Sequence, residues 1–133
     1  MERERSWVLI PLLGALAGCA PASAPKGAAS GAAALFDGNC SACHQPGGQG
    51  IPGVYPSLAG SPTVTGDPGS LTRWVVQGKR APTMPPGRYS TVMPQFEWLK
   101  DADTAALLTY LRSSFGNHAA AVDAATVAKA LGE

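Results

Sequence analysis

The residues best equipped for chemistry stand together as Cys40-Ser41-Ala42-Cys43-His44. Two thiols three positions apart, followed at once by an imidazole, suit three kinds of chemistry. A disulfide across so short a gap is a reactive redox pair, which usually accompanies a βαβ pattern that this sequence lacks. Structural zinc asks for four Cys or His ligands. Beyond the motif the chain offers only Cys19, which ends a leader sequence, and His118. The remaining reading is covalent attachment of haem. The thiols would add to the two vinyl groups on one edge of the porphyrin. The next residue is then carried under the ring, where its imidazole can ligate iron.

Residues 1–18 stand apart from whatever must hold this motif. Arg3 and Arg5 open them, and an apolar run from Trp7 to Ala17 follows. That run is too short to span a bilayer but has the length of a signal-peptide core. Leu16-Ala17-Gly18-Cys19 resembles a bacterial lipobox, which implies that Cys19 is lipidated and becomes the new N-terminus. Residues 19–30, CAPASAPKGAAS, carry no large apolar group and read as a flexible tether. The expected location is the periplasm, anchored by lipid to a membrane facing it. A domain over residues 31–116 and a tail helix within 117–133 complete the expected organisation.

The length of 133 residues allows one domain. A formal charge of +1 excludes a nucleic-acid binder. The 45% apolar content overstates the core, because 23 of those residues are alanine. Residues 31–115 hold only 23 large apolar or aromatic side chains. A domain so small often needs a disulfide, metal or other staple. Asp67 as cap, Pro68 in the first turn and Gly78 as stop predict one helix. Leu107, Leu108, Tyr110, Leu111 and Phe115 recur at helical spacing and predict another from Asp101, ended by Gly116-Asn117. Asp101 and Asp103 suit its positive N-terminal end and Arg112 its C-terminal end. Asp123 to Leu131 reads as a short alanine-rich helix.

Taken with the segments around it, the motif resembles the class I cytochromes c, the small single-haem proteins that serve as subunits or partners of bacterial periplasmic dehydrogenases. The resemblance runs from about Ser30 to the end of the chain. It implies an all-α fold of three core helices plus loops wrapped around one covalently attached haem c, with a short C-terminal helix. Leu35-Phe36-Asp37-Gly38-Asn39 is similar to the end of the family's first helix, where the aromatic packs on the last helix. The family's usual glycine four positions earlier is Ala32 here, which implies a slightly wider contact. Pro56-Ser57-Leu58 resembles the family's proline-x-leucine. By that match the Pro56 carbonyl accepts the proton on the second ring nitrogen of His44 and Leu58 lies against the haem. Met93-Pro94-Gln95-Phe96 resembles its MPxF segment, making Met93 the axial ligand opposite His44. Met84 and His118 are weaker candidates for that position. Arg73 and Trp74 are placed near the haem propionates, and Leu35 and Trp98 in its surroundings.

A haem iron held by His44 and Met93 has no open position, which implies an electron carrier and not an enzyme. Its expected partners are redox proteins, with a dehydrogenase as donor and a terminal oxidase or reductase as acceptor. A haem-based sensor with a displaceable sixth ligand, and a thiol–disulfide protein using Cys40 and Cys43, are the competing readings. Lys79, Arg80 and Arg88 form a basic stretch leading to Met93. It either offsets the propionates or steers an acidic partner.

Overall fold

A computed structural model describes residues 26–82, 87, 89 and 91–132, with side chains from residue 31 onward. Cys19, Met84 and Arg88 lie outside the described residues. Among those described, six helices follow one another: α1 (Lys26–Asn39), α2 (Ser41–His44), α3 (Pro62–Thr65), α4 (Pro68–Gln77), α5 (Asp101–Ser113) and α6 (Ala124–Leu131). The same residues contain no β-strand, only an isolated antiparallel bridge between Ile51 and Tyr55. The three long helices α1, α4 and α5 are the expected core elements and α6 is the expected tail helix. The one-turn helices α2 and α3 are additional to them. Helix α1 begins at Lys26, within the segment read from sequence as a tether; alanines 28 and 29 favour helix there.

Helix α1 packs on α5 and α4 packs on α6, with α6 also resting on α5. The α1–α5 crossing is built on aromatic rings. Phe36, fully buried, lies 5.7 Å from Tyr110 and 5.1 Å from Phe115, and those two rings meet edge to face at 5.8 Å. Offset and edge contacts of this kind are the favourable aromatic geometries. Ala32 sits on the same face of α1 as Phe36 and is itself buried, so the methyl group is accommodated in the contact. Leu71, Val75, Leu107, Leu108, Leu111 and Val127 fill the space between α4, α5 and α6.

The ends of α4 follow its sequence signals closely. Asp67 Oδ1 accepts the Ser70 N–H at 2.8 Å, Pro68 occupies the first turn, and Gly78 closes the helix at φ 65°. Accepting that hydrogen bond holds the Asp67 carboxyl below its ordinary range. Helix α5 starts at Asp101, with Lys100 at the cap position and no side-chain cap bond. It stops at Ser113, three residues before the expected Gly116. Arg112 does more than complement the helix dipole. It is buried, and its Nε donates to Ala120 O at 2.7 Å while Nη1 donates to Val64 O and Gly66 O at 2.8 Å each. One guanidinium therefore joins α5, the turn after α3 and the tail. Thr109 Oγ1 adds a second hook, donating to Val122 O at 3.0 Å and accepting the Val122 N–H at 2.9 Å.

Candidate functional site

Helix α1 ends at Asn39, and the Cys40 N–H still donates to Phe36 O at 2.8 Å, so the motif begins where a rigid element stops. Cys40 O then accepts from Cys43 N at 3.2 Å and His44 N at 2.8 Å, winding Ser41–His44 into the single turn of α2. A helical turn sets residues three and four apart on one side. The geometry gathers Cys40, Cys43 and His44 from a five-residue stretch. Cys40 is buried and Cys43 half-buried. Burial first, and the neighbouring Cys43 second, push the Cys40 thiol up to about 11. A reactive redox pair depends on a thiolate, so this environment disfavours that reading.

His44 is buried, and its Nδ1 lies 2.9 Å from Pro56 O. A carbonyl can only accept, so Nδ1 carries the proton and Nε2 keeps the ring's free lone pair. The loop that delivers Pro56 is drawn tightly against the motif. Gly50 N–H donates to His44 O at 2.8 Å, and Ile51 N–H donates to Tyr55 O at 2.9 Å. Gly50 holds φ 65°, and a Cβ there would run into the Tyr55 carbonyl and lie 2.6 Å from Pro56 O. Only glycine allows that approach. Tyr55, not singled out from sequence, has its phenol raised by the neighbouring Cys43 side chain.

Met93 is half-buried and packs against the core, as do Leu35, Leu58 and Trp74. Its segment is tied down on two sides. Phe96 N–H donates to Val75 O at 3.3 Å on α4, and Thr91 Oγ1 donates to Val54 O at 3.4 Å on the loop preceding Pro56. Arg73 stands beside Asp67 in a groove shared with Gly69, Thr126, Lys129 and Ala130, where α4 meets α6. Trp98 is 63% exposed and meets the Phe96 ring edge to face at 6.4 Å. Phe96 and Leu99 take the inward positions of that turn, which leaves residue 98 outside. His118 is exposed on the tail.

The donors present suit a covalently bound haem: two thiols in one turn, an imidazole presenting Nε2, and a neutral thioether in a half-buried segment. Among the described residues no group of three or more His, Cys, Asp and Glu side chains is gathered to hold a bare metal ion. The signals that sequence reading passed over are backbone ones. Gly50 and the Ile51–Tyr55 bridge aim the Pro56 carbonyl, and neither is marked by a chemically reactive side chain.

Residues 28–115 match the family model described as Cytochrome c. Over 95 residues the chain is 34% identical to the cytochrome c subunit of the quinone alcohol dehydrogenase of Gluconobacter oxydans, covering 70% of this chain and 20% of that subunit. It is 36% identical over 104 residues to the fructose dehydrogenase cytochrome subunit of Gluconobacter japonicus, covering 71% and 21%. Cytochrome c-552 of Thermus thermophilus is 35% identical over 83 residues, covering 59% of this chain and 63% of that protein. The chain spans about a fifth of the dehydrogenase subunits that it resembles.

Proposed function

The chain belongs to the cytochrome c family, and from that premise we propose that it carries electrons at a periplasmic membrane surface through a haem held by His44 and Met93. It is an electron carrier with a covalently bound haem c, not an enzyme. The bound haem supplies one-electron exchange at its iron. The chain's own residues supply the rest. Cys40 and Cys43 give the covalent links, His44 offers Nε2, and Met93 offers a soft, neutral sulfur that favours the reduced state.

The observation that carries the axial assignment is the 2.9 Å bond from His44 Nδ1 to Pro56 O. It fixes the tautomer in which Nε2 is the donor and strengthens that donor. Two protein side chains on the iron leave no exchangeable position for a substrate, which suits a carrier. The dehydrogenase subunits among the relatives support a dehydrogenase as electron donor. A terminal oxidase or reductase would accept. The leader and Cys19 support export and a lipid anchor.

An optical spectrum of the exported full chain tests the reading. A covalent c-type haem and the weak near-infrared band of ferric iron–methionine ligation are expected. Met93→Ala should abolish that band and lower the potential, whereas Met84→Ala should leave both unchanged. The reverse outcome would overturn the choice of methionine. Absence of the band in the wild-type protein would favour a haem sensor with a displaceable sixth ligand. Cys19→Ser should release the protein from the membrane fraction; retention would sink the lipid anchor.

A further inference from the structure

We propose that Asn117 is a positioning residue for His44, acting through the backbone of the Pro56–Leu58 segment; this rests on His44 being the iron ligand. Asn117 lies beyond the matched family region of residues 28–115, and its sequence context marks it only as the end of a helix. In the structure it is 2% exposed, and its carboxamide is fully engaged. Nδ2 donates to Leu58 O at 3.0 Å and to Leu111 O at 2.9 Å, while Oδ1 accepts the Gly60 N–H at 2.8 Å.

These bonds fall into two groups with different consequences. The bond to Leu111 O satisfies one of the carbonyls that the end of α5 leaves unpaired, an ordinary capping task. The bonds to Leu58 O and Gly60 N reach 57 to 59 residues back along the chain and clamp the loop that follows Pro56. Leu58 N–H is held from the other side by Gly48 O at 2.7 Å. The Pro56 carbonyl is thus slung between two fixed points. Upstream is Tyr55, whose carbonyl accepts from Ile51 N, and downstream is Leu58, held by Gly48 and Asn117. Its only slack is a few backbone torsions. Releasing Leu58 O lets the Pro56 carbonyl drift from His44 Nδ1, weakening the bond that makes Nε2 a strong donor.

A weaker donor stabilises ferric iron less, so the potential should rise. Asn117→Leu is the sharpest test, because it keeps size and adds no charge while removing the donor to Leu58 O and the acceptor for Gly60 N–H together. The full-length holoprotein is expected to show a midpoint potential higher by about 30 mV, roughly a threefold change in the oxidised-to-reduced ratio, at the ~59 mV per tenfold of a one-electron couple. Exchange of the His44 Nδ1 proton, followed by NMR, should quicken at least severalfold. Thr109→Val provides the structural comparison. It removes the Val122 hook without touching residues 56–60 and should lower stability with the potential and the Nδ1 exchange unmoved.

An Asn117→Leu protein that loses stability but keeps the wild-type potential and exchange rate would reduce Asn117 to a helix cap and overturn the proposal. Should that variant not fold, the wild-type holoprotein decides it by exchange on warming. Asn117 side-chain protons and the His44 Nδ1 proton opening together support the coupling, and Nδ1 opening independently refutes it. Failure of the functional reading looks different. In that case the wild-type protein itself would lack the spectrum of a c-type haem.

Discussion

His44 presents a usable nitrogen because a neighbouring carbonyl, which can only accept, claims the other one. That carbonyl belongs to the backbone, so the side chain at position 56 matters less than the space beside it. Pro56→Ala keeps the acceptor and is expected to leave the haem spectrum intact, with stability changed by about 1 kcal/mol or less through added freedom in the unfolded chain. Gly50→Ala is expected to be far worse. It forces a side chain into a left-handed backbone at a cost of about 1–2 kcal/mol and drives the new Cβ against the Tyr55 and Pro56 carbonyls. Urea unfolding of the two holoproteins, with His44 Nδ1 proton exchange, checks the pair; equal effects would mean that the loop does not aim the carbonyl. The donors themselves were legible in the sequence, because Cys40, Cys43 and His44 are chemically distinctive and fall within five residues. Asn117 and Gly50 were not, because their roles depend on segments separated in sequence that only folding brings together.

At the scale of elements, α4 and α6 share one device. Asp67 Oδ1 accepts from Ser70 N at 2.8 Å and Asp123 Oδ1 accepts from Thr126 N at 2.7 Å, and both carboxyls are held below the ordinary value of 3.8. A folded-state value below the unfolded one means that the ionised caps stabilise the fold above 3.8 and lose that contribution as pH falls through their lowered values. Thermal unfolding of Asp67→Asn should therefore show a shallower acid decline than wild type, because asparagine caps without titrating. Asp67→Ala should lose about 1 kcal/mol at neutral pH. Parallel acid curves for the Asp67→Asn variant and the wild-type protein would refute the cap's part in the decline. The start and stop of α4 were legible because Asp67, Pro68 and Gly78 act locally. The end of α5 was harder to read, since Arg112 and Thr109 fasten the tail there by contacts across α3, α5 and residues 119–122. Arg112→Met should expose that long-range role: stripping buried carbonyls of their donor is expected to cost about 2–4 kcal/mol in urea unfolding. A loss of about 0.5 kcal/mol or less, the range of ordinary surface changes, would mean that the guanidinium fastens nothing.

Across the whole molecule, the fold rests on a modest core and several long-range fastenings. Among the described residues the fully buried large apolar side chains are few, chiefly Phe36, Leu71, Leu107, Leu108 and Val127. Leu35, Leu58, Trp74, Met93, Tyr110 and Phe115 pack only partly against them. These half-buried groups come from α1, the Pro56 loop, α4, the Met93 segment and α5, so a haem joined to Cys40 and Cys43 would bind together elements that otherwise meet through small contact areas. A chain of this size has little stability in reserve, and the apolar haem surface that the folded state would bury adds to it. Covalent attachment keeps the haem on the chain as it opens, so that burial is regained at each refolding without a separate binding step. The doubly substituted Cys40→Ser/Cys43→Ser chain, exported without attached haem, should therefore lose most of its helical circular dichroism and be digested readily by protease under conditions where the holoprotein resists. Cys43→Ser alone, attached through one thioether, should fall between the two. A double variant with native helix content and a cooperative thermal transition would show that the side chains suffice, and that the 23 large residues between 31 and 115 make a complete core without the haem.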